Sequence, residues 1–146
     1  MDIPQELIDD VVSNDVQLGD VYKIEMSVED GMILKNGYDT RNKIFVVLGF
    51  DEQGNIYGGI VFNSKINQNL PTAIQDYHMP ISAKDYPFLS HDSFLNCAQI
   101  FTANSTHLMK GEKLGTINTT DFELICSTVC SYPDANPHKL KSFGLI

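Results

Sequence analysis

The sequence predicts a mainly β domain: a strongly bent antiparallel sheet or partly open barrel, with a short helix near the N-terminus and another near the C-terminus. Three observations carry this. Ile44 to Phe50 is apolar throughout, reads as a central strand, and is joined to a second apolar run, Ile56 to Phe62, by the turn Asp51-Glu52-Gln53-Gly54-Asn55. Five to seven short strand-like runs follow one another without the intervening helices that a parallel α/β fold needs. Thr120-Asp121-Phe122-Glu123 has the form of a capping box and opens a helical pattern to about Cys130.

Taken in order, Ile3 to Val12 predicts a short helix, with Pro4 in its first turn and Ile3, Leu7, Ile8, Val11 and Val12 on one face. Gly19-Asp20 leads into an alternating strand, Val21 to Met26. Residues 27–42 read as a long polar loop. In the run from Ile56 to Phe62, the Gly58-Gly59 pair predicts a bulge or a close backbone approach. Asn63 to Pro71 reads as a polar loop, Thr72 to Ile81 as a strand, and Ser93 to Ala103 as one further strand. Ser105 is placed to cap a short helix, Thr106 to Lys110, and Leu114 to Ile117 forms a last short strand. In the helix from Thr120, the residues Phe122, Ile125, Cys126 and Val129 make the buried face, and Pro133 and Pro137 stop it. Three segments result: an acidic helical arm, 1–18; a barrel domain with its closing helix, 19–130; and a tail, 131–146.

The chain of 146 residues has a formal net charge of −9, and Arg41 is the only arginine. Residues 1–30 hold nine acidic residues and one basic, so the remaining body is near neutral. A broadly basic nucleic-acid coat is excluded, while an acidic arm on a neutral body can be solvation or a cover. No apolar run reaches the roughly 20 residues of a membrane helix, and the first residues lack the basic-then-apolar order of a signal peptide. The three cysteines, Cys97, Cys126 and Cys130, then suggest free thiols in a reducing cytoplasm. Cys126 and Cys130, four apart, with two further ligands from among Cys97, His107 and His91 could compose a zinc set, but core packing is the simpler expectation.

Gly19-Asp20-Val21-Tyr22, the run Thr40 to Leu48 led by Arg41, Ile60-Val61-Phe62-Asn63-Ser64, Cys97-Ala98-Gln99-Ile100-Phe101 and the helix from Thr120 follow one another in an order that resembles the MazF/PemK/Kid family of toxin endoribonucleases. Gly19-Asp20-Val21-Tyr22 is similar to that family's opening strand. Thr40-Arg41-Asn42-Lys43-Ile44-Phe45-Val46-Val47-Leu48 stands where the family has an arginine-led apolar strand. Ile60-Val61-Phe62-Asn63-Ser64 stands at its hydroxyl-bearing segment. Cys97-Ala98-Gln99-Ile100-Phe101, Thr106-His107-Leu108 and Lys113-Leu114-Gly115-Thr116-Ile117 follow in the family's order, then the helix from Thr120. The resemblance spans roughly residues 19–130. It implies an SH3-like barrel of the CcdB/Kid type, cleavage of single-stranded RNA without a metal or other cofactor, a cytoplasmic homodimer and a cognate antitoxin. On the same resemblance, residues 1–18 would shade the RNA surface as an antitoxin's acidic segment does.

Such cleavage turns a 2′-hydroxyl against the adjacent phosphate. It needs a base, an acid and a cation or donor array for the developing charge. Arg41 suits the last role, because its planar fork meets two phosphate oxygens. Asn63 and Ser64 occupy the hydroxyl-segment position, and His91 is the most natural acid or base. The catalytic expectation is therefore Arg41, Asn63, Ser64 and His91, with Lys43, Lys65 and Gln99 touching RNA. Ser90-His91-Asp92-Ser93 is not a triad, since neighbours in extended chain point to opposite sides. His78, His107 and His138 carry no motif support for a catalytic role, and His107 stands where the family's late turn has an arginine. The family's Arg-Pro pair is missing after Arg41, and Asn96-Cys97-Ala98-Gln99 lacks the charged groups of its Arg-Cys-Asp-Gln segment. A noncatalytic SH3-like module that binds protein or nucleic acid is the alternative.

Overall fold

The computed structural model describes residues 3–27 and 40–146. The chain runs as α1 (Gln5–Asp15), β1 (Asp20–Ser27), β2 (Thr40–Phe50), β3 (Ile56–Asn63), α2 (Thr72–Gln75), β4 (His78–Ile81), β5 (Ser93–Asn96), β6 (Phe101–Asn104), α3 (Ser105–Lys110), β7 (Glu112–Thr116), α4 (Thr119–Ser131) and α5 (Pro137–Ser142). The seven strands form one antiparallel, curled half-barrel sheet in the order β4-β5-β3-β2-β1-β7, with β6 paired to β3 off that path. The mainly β fold with a short N-terminal helix and a C-terminal helix is as the sequence predicts. Most of the predicted loop 27–42 lies outside the described residues.

Alternation along the central strands sorts the core into two layers. Val46, Leu48, Ile60 and Phe62 face one side, where Ile125 and Val129 of α4 and Leu140 of α5 cover them. Phe45, Val47, Tyr57 and Val61 face the other, covered by Ile8 and Val12 of α1 and Leu108 of α3. A strand buried on both faces has no polar side to show, which is why Ile44 to Phe50 reads as an unbroken apolar run. At the hairpin after β2, Gly54 has φ +72°, the conformation that its turn demands.

The glycines of β2 and β3 mark close approaches. The ladder shifts register between Val47 and Gly49, opposite Gly58 and Gly59. Phe143 lies over this notch: a Cβ added at Gly58 would fall 2.5 Å from its ring. The tail therefore docks, with Leu140 and Phe143 buried.

Several elements differ from expectation. Thr72 to Ile81 is not one strand, because α2 takes its first four residues after Pro71, leaving only β4. Ser93 to Ala103 is two strands. Both pair with β3, β5 at Phe62 and Asn63 and β6 at Ile56 to Gly59, with a turn between. The Asn96 side chain bends that turn by accepting from the Ala98 N–H at 3.1 Å. Arg41 is not a loop residue, since β2 begins at Thr40 and places it opposite Met26 of β1. Asn104, not Ser105, caps α3, in a reciprocal box with His107. Asn118, not Thr120, caps α4 by accepting from the Asp121 N–H at 2.8 Å. Of the five residues expected on one face, Ile8 and Val12 of α1 are buried, while Leu7 and Val11 of α1 and Ile3 before it are exposed.

Candidate functional site

A cleft of about 580 Å³ opens where β2 and β3 run past the cover of α1 and α3. Val61 and Phe101 belong both to the second core layer and to the cleft lining, so the cleft continues that sheet face beyond its helical cover. β2 contributes Arg41 and Lys43, two residues apart and therefore on one face. Asn63 comes from the end of β3, two residues beyond the Val61 that pairs with Phe45. This sets it across from Lys43, and Lys43 Nζ donates to Asn63 Oδ1 at 2.7 Å. The loop 64–70 closes the next side with Ser64, Lys65, Ile66, Asn67, Gln68 and Leu70. β4 supplies His78, and its β5 partner Asn96 lies beside it in the ladder. Gln99, in the turn between β5 and β6, completes the lining.

Six of the seven residues expected from the sequence thus meet in one cleft: Arg41, Lys43, Asn63, Ser64, Lys65 and Gln99. His91 does not line it. It is exposed, and its Nδ1 lies 3.0 Å from the Asp92 carbonyl. The register explains the separation. β5 meets β4 with Ser93 opposite Ile81 and Asn96 opposite His78, so His91 precedes the far end of β5. No described side chain of α1 lines the cleft either; α1 packs on α3, and Thr106 of α3 donates to Gln5 at 3.2 Å.

Sequence reasoning missed Asn67, Gln68, Asn96 and His78 of the lining. His78 is 6% exposed. Its Nδ1 lies 2.9 Å from the Ile74 carbonyl at the end of α2. A carbonyl can only accept, so Nδ1 carries a proton, and in the neutral ring Nε2 is the bare nitrogen.

The electrostatics of the cleft differ from those of the chain. Three cations line it and, among the described residues, no carboxylate does, although the chain carries 19 acidic residues. Lys43 is 9% exposed. Burial, with Arg41 close by, brings its ammonium down to about 8. Arg41 and Lys65 are exposed at the rim. The neutral donors are mostly amides, which can meet phosphate oxygens or base edges.

The thiols belong to the core. Cys97 is buried, and burial pushes it up to about 12. Cys126 is raised to about 11 for the same reason. Among the described residues no three His, Cys, Asp or Glu side chains cluster as a metal set would, and no helix is long and apolar enough to cross a membrane.

No protein-family model matches the chain, and a comparison with curated proteins finds no match.

Proposed function

We propose that the protein is a metal-independent endoribonuclease of the toxin–antitoxin kind, a divergent relative of the MazF/PemK/Kid toxins, acting on single-stranded RNA in this cleft. One observation carries the reading: a chain of net charge −9 gathers Arg41, Lys43 and Lys65 in a single concavity whose lining, among the described residues, includes no acidic side chain. An anionic ligand finds attraction there and repulsion across the acidic N-terminal segment. Arg41 and Lys65 grip backbone phosphates, Arg41 through its bidentate fork. Asn63 and Ser64 donate to the phosphate that reacts. Asn67, Gln68 and Gln99 meet base edges, which a single strand leaves open.

The protein then works in the cytoplasm as a homodimer restrained by an acidic antitoxin segment seated over the same cations. The test is induced expression of the wild type beside Arg41→Ala, with total RNA mapped for new ends. Growth arrest and RNA cleavage that persists in a chelator, both lost in Arg41→Ala, support the enzyme. Binding of single-stranded RNA without cleavage supports a noncatalytic barrel instead. No arrest, no cleavage and no binding by the wild type would sink both.

A further inference from the structure

We propose that His78 and Lys43 are the proton-transfer pair of the cleft, with His78 Nε2 taking the proton of the attacking 2′-hydroxyl and Lys43 Nζ protonating the departing 5′-oxygen. This rests on the nuclease reading above and deepens it by naming the groups that move protons.

The geometry selects them. Four histidines are present, and three are placed elsewhere. His91 lies off the cleft. His107 accepts from the Asn104 N–H at 3.1 Å as half of the α3 capping box. His138 is an exposed residue of α5. His78 alone lines the cleft, and its ring is set by the Ile74 carbonyl so that Nε2 is the basic nitrogen. Among the described residues no buried side-chain nitrogen or oxygen lacks a partner, and the ring bonds Ile74 through Nδ1, so Nε2, in a residue that lines the cleft, is not sealed in the core.

Lys43 is the complementary acid. It is buried at the cleft floor and held by Asn63 at 2.7 Å, unlike the exposed Lys65. An ammonium that gives up its proton near pH 8 is a far better donor than an ordinary lysine. The charged and titratable groups that face the pair are Arg41 from β2 and Lys65 from the loop after β3, with no carboxylate among the described lining residues.

The step balances. The 2′-oxygen forms a bond to phosphorus as its proton passes to His78. The phosphorus–5′-oxygen bond breaks, and that oxygen takes a proton from Lys43. The products are a 2′,3′-cyclic phosphate and a 5′-hydroxyl, leaving an imidazolium and a neutral amine that exchange one proton through water to reset. Arg41 holds the negative charge of the phosphorane-like transition state.

The experiment uses the full chain with total cellular RNA, followed by an oligoribonucleotide carrying a site that the wild type cleaves. His78→Asn keeps a donor for Ile74 but has no base, and its rate should fall about a hundredfold or more. Lys43→Gln should fall similarly. A 5′-bridging phosphorothiolate at the cleaved bond leaves without protonation, so it should restore Lys43→Gln and leave His78→Asn slow. The wild-type pH profile should fall off near pH 8, a limb absent in Lys43→Arg. If the wild type cleaves and His78→Asn stays within about threefold of it, or the sulfur substrate fails to restore Lys43→Gln, the pair is wrong while the nuclease reading stands. Should both His78→Asn and His78→Gln fail to fold by circular dichroism, the sulfur substrate with Lys43→Gln decides alone. A wild type that cleaves nothing overturns the pair together with the function.

Discussion

Lys43 Nζ and Asn63 Oδ1, 2.7 Å apart, join the open ends of β2 and β3 at the floor of the cleft. The bond satisfies one ammonium proton but does not replace the water lost on burial. The folded ammonium titrates near 8 against 10.5 for a free lysine. Below pH 8 the amine is charged in both states, and only the folded state bears the desolvation. As pH rises from 8 toward 10.5 the folded amine is neutral while the unfolded one still binds a proton, so the penalty is relieved. Lys43→Met should therefore be more stable than wild type at pH 7, by about 1 kcal/mol given the partial solvation of the cleft. The advantage should shrink as pH approaches 10.5. Urea titrations of both proteins at pH 7 and pH 10 measure the difference directly.

Phe143 should couple unequally to the two glycines beneath it. A Cβ at Gly58 would meet the Phe143 ring at 2.5 Å, but one at Gly49 would meet the Phe143 carbonyl oxygen at 2.0 Å. Each alanine substitution should cost about 2–3 kcal/mol. In a Phe143→Ala background the Gly58→Ala cost should largely vanish, since the ring is gone. The Gly49→Ala cost should remain, since the backbone is still there. Double-mutant cycles in chemical denaturation separate the two cases.

Helix capping offers a similar contrast. Asn118→Ala should destabilise by about 1 kcal/mol, because it removes the acceptor for the Asp121 N–H. Thr120→Ala, one turn position inside the helix and exposed, should change stability by a few tenths of a kcal/mol. Thermal melts of the two variants distinguish them.

RNA binding, if it uses all three cations, has a defined salt signature. Three neutralised phosphates on a single strand give a slope of log K against log salt of about −2. Lys65→Ala should make this shallower by about 0.7 while leaving sequence preference unchanged. Gln99→Ala should do the reverse, because a neutral amide releases no counterion. Anisotropy titrations with labelled single-stranded RNA at several salt concentrations read both effects.

The β2–β3 hairpin was legible because its signals are local: an apolar run, a Gly54 turn and a second run. The split between β5 and β6 was not, because apolar residues recur along the whole of Ser93 to Ala103 with no glycine or proline between them, and only the shared edge of β3 decides where each strand pairs. α2 was hidden by its four residues, too few for a period to show. The candidate site divides the same way. Arg41, Lys43, Asn63, Ser64 and Lys65 lie on one hairpin and its outgoing loop, so chain order keeps them together. His78 enters through the pairing of β4 with β5, and His91 misses the cleft through that same register. No local pattern records either fact.

The central place of β3 also governs how the cleft can change shape. β3 pairs with β2, β5 and β6, and β5 holds β4, so Arg41, Lys43, Asn63, Asn96 and His78 all hang from one continuous ladder. Sliding any of these walls breaks several backbone hydrogen bonds at once, which native fluctuations rarely do. The loop 64–70 carries no such pairing among the described residues, and its turns close mostly on themselves, as in the Leu70 N–H to Asn67 carbonyl bond at 3.2 Å. Among the described residues, adaptation to ligands of different width therefore falls chiefly to that loop, with Gln99 in the short β5–β6 turn beside it. The cleft behaves as a fixed jaw facing one adjustable lip, and amide exchange should be fast in residues 64–70 and slow along β3.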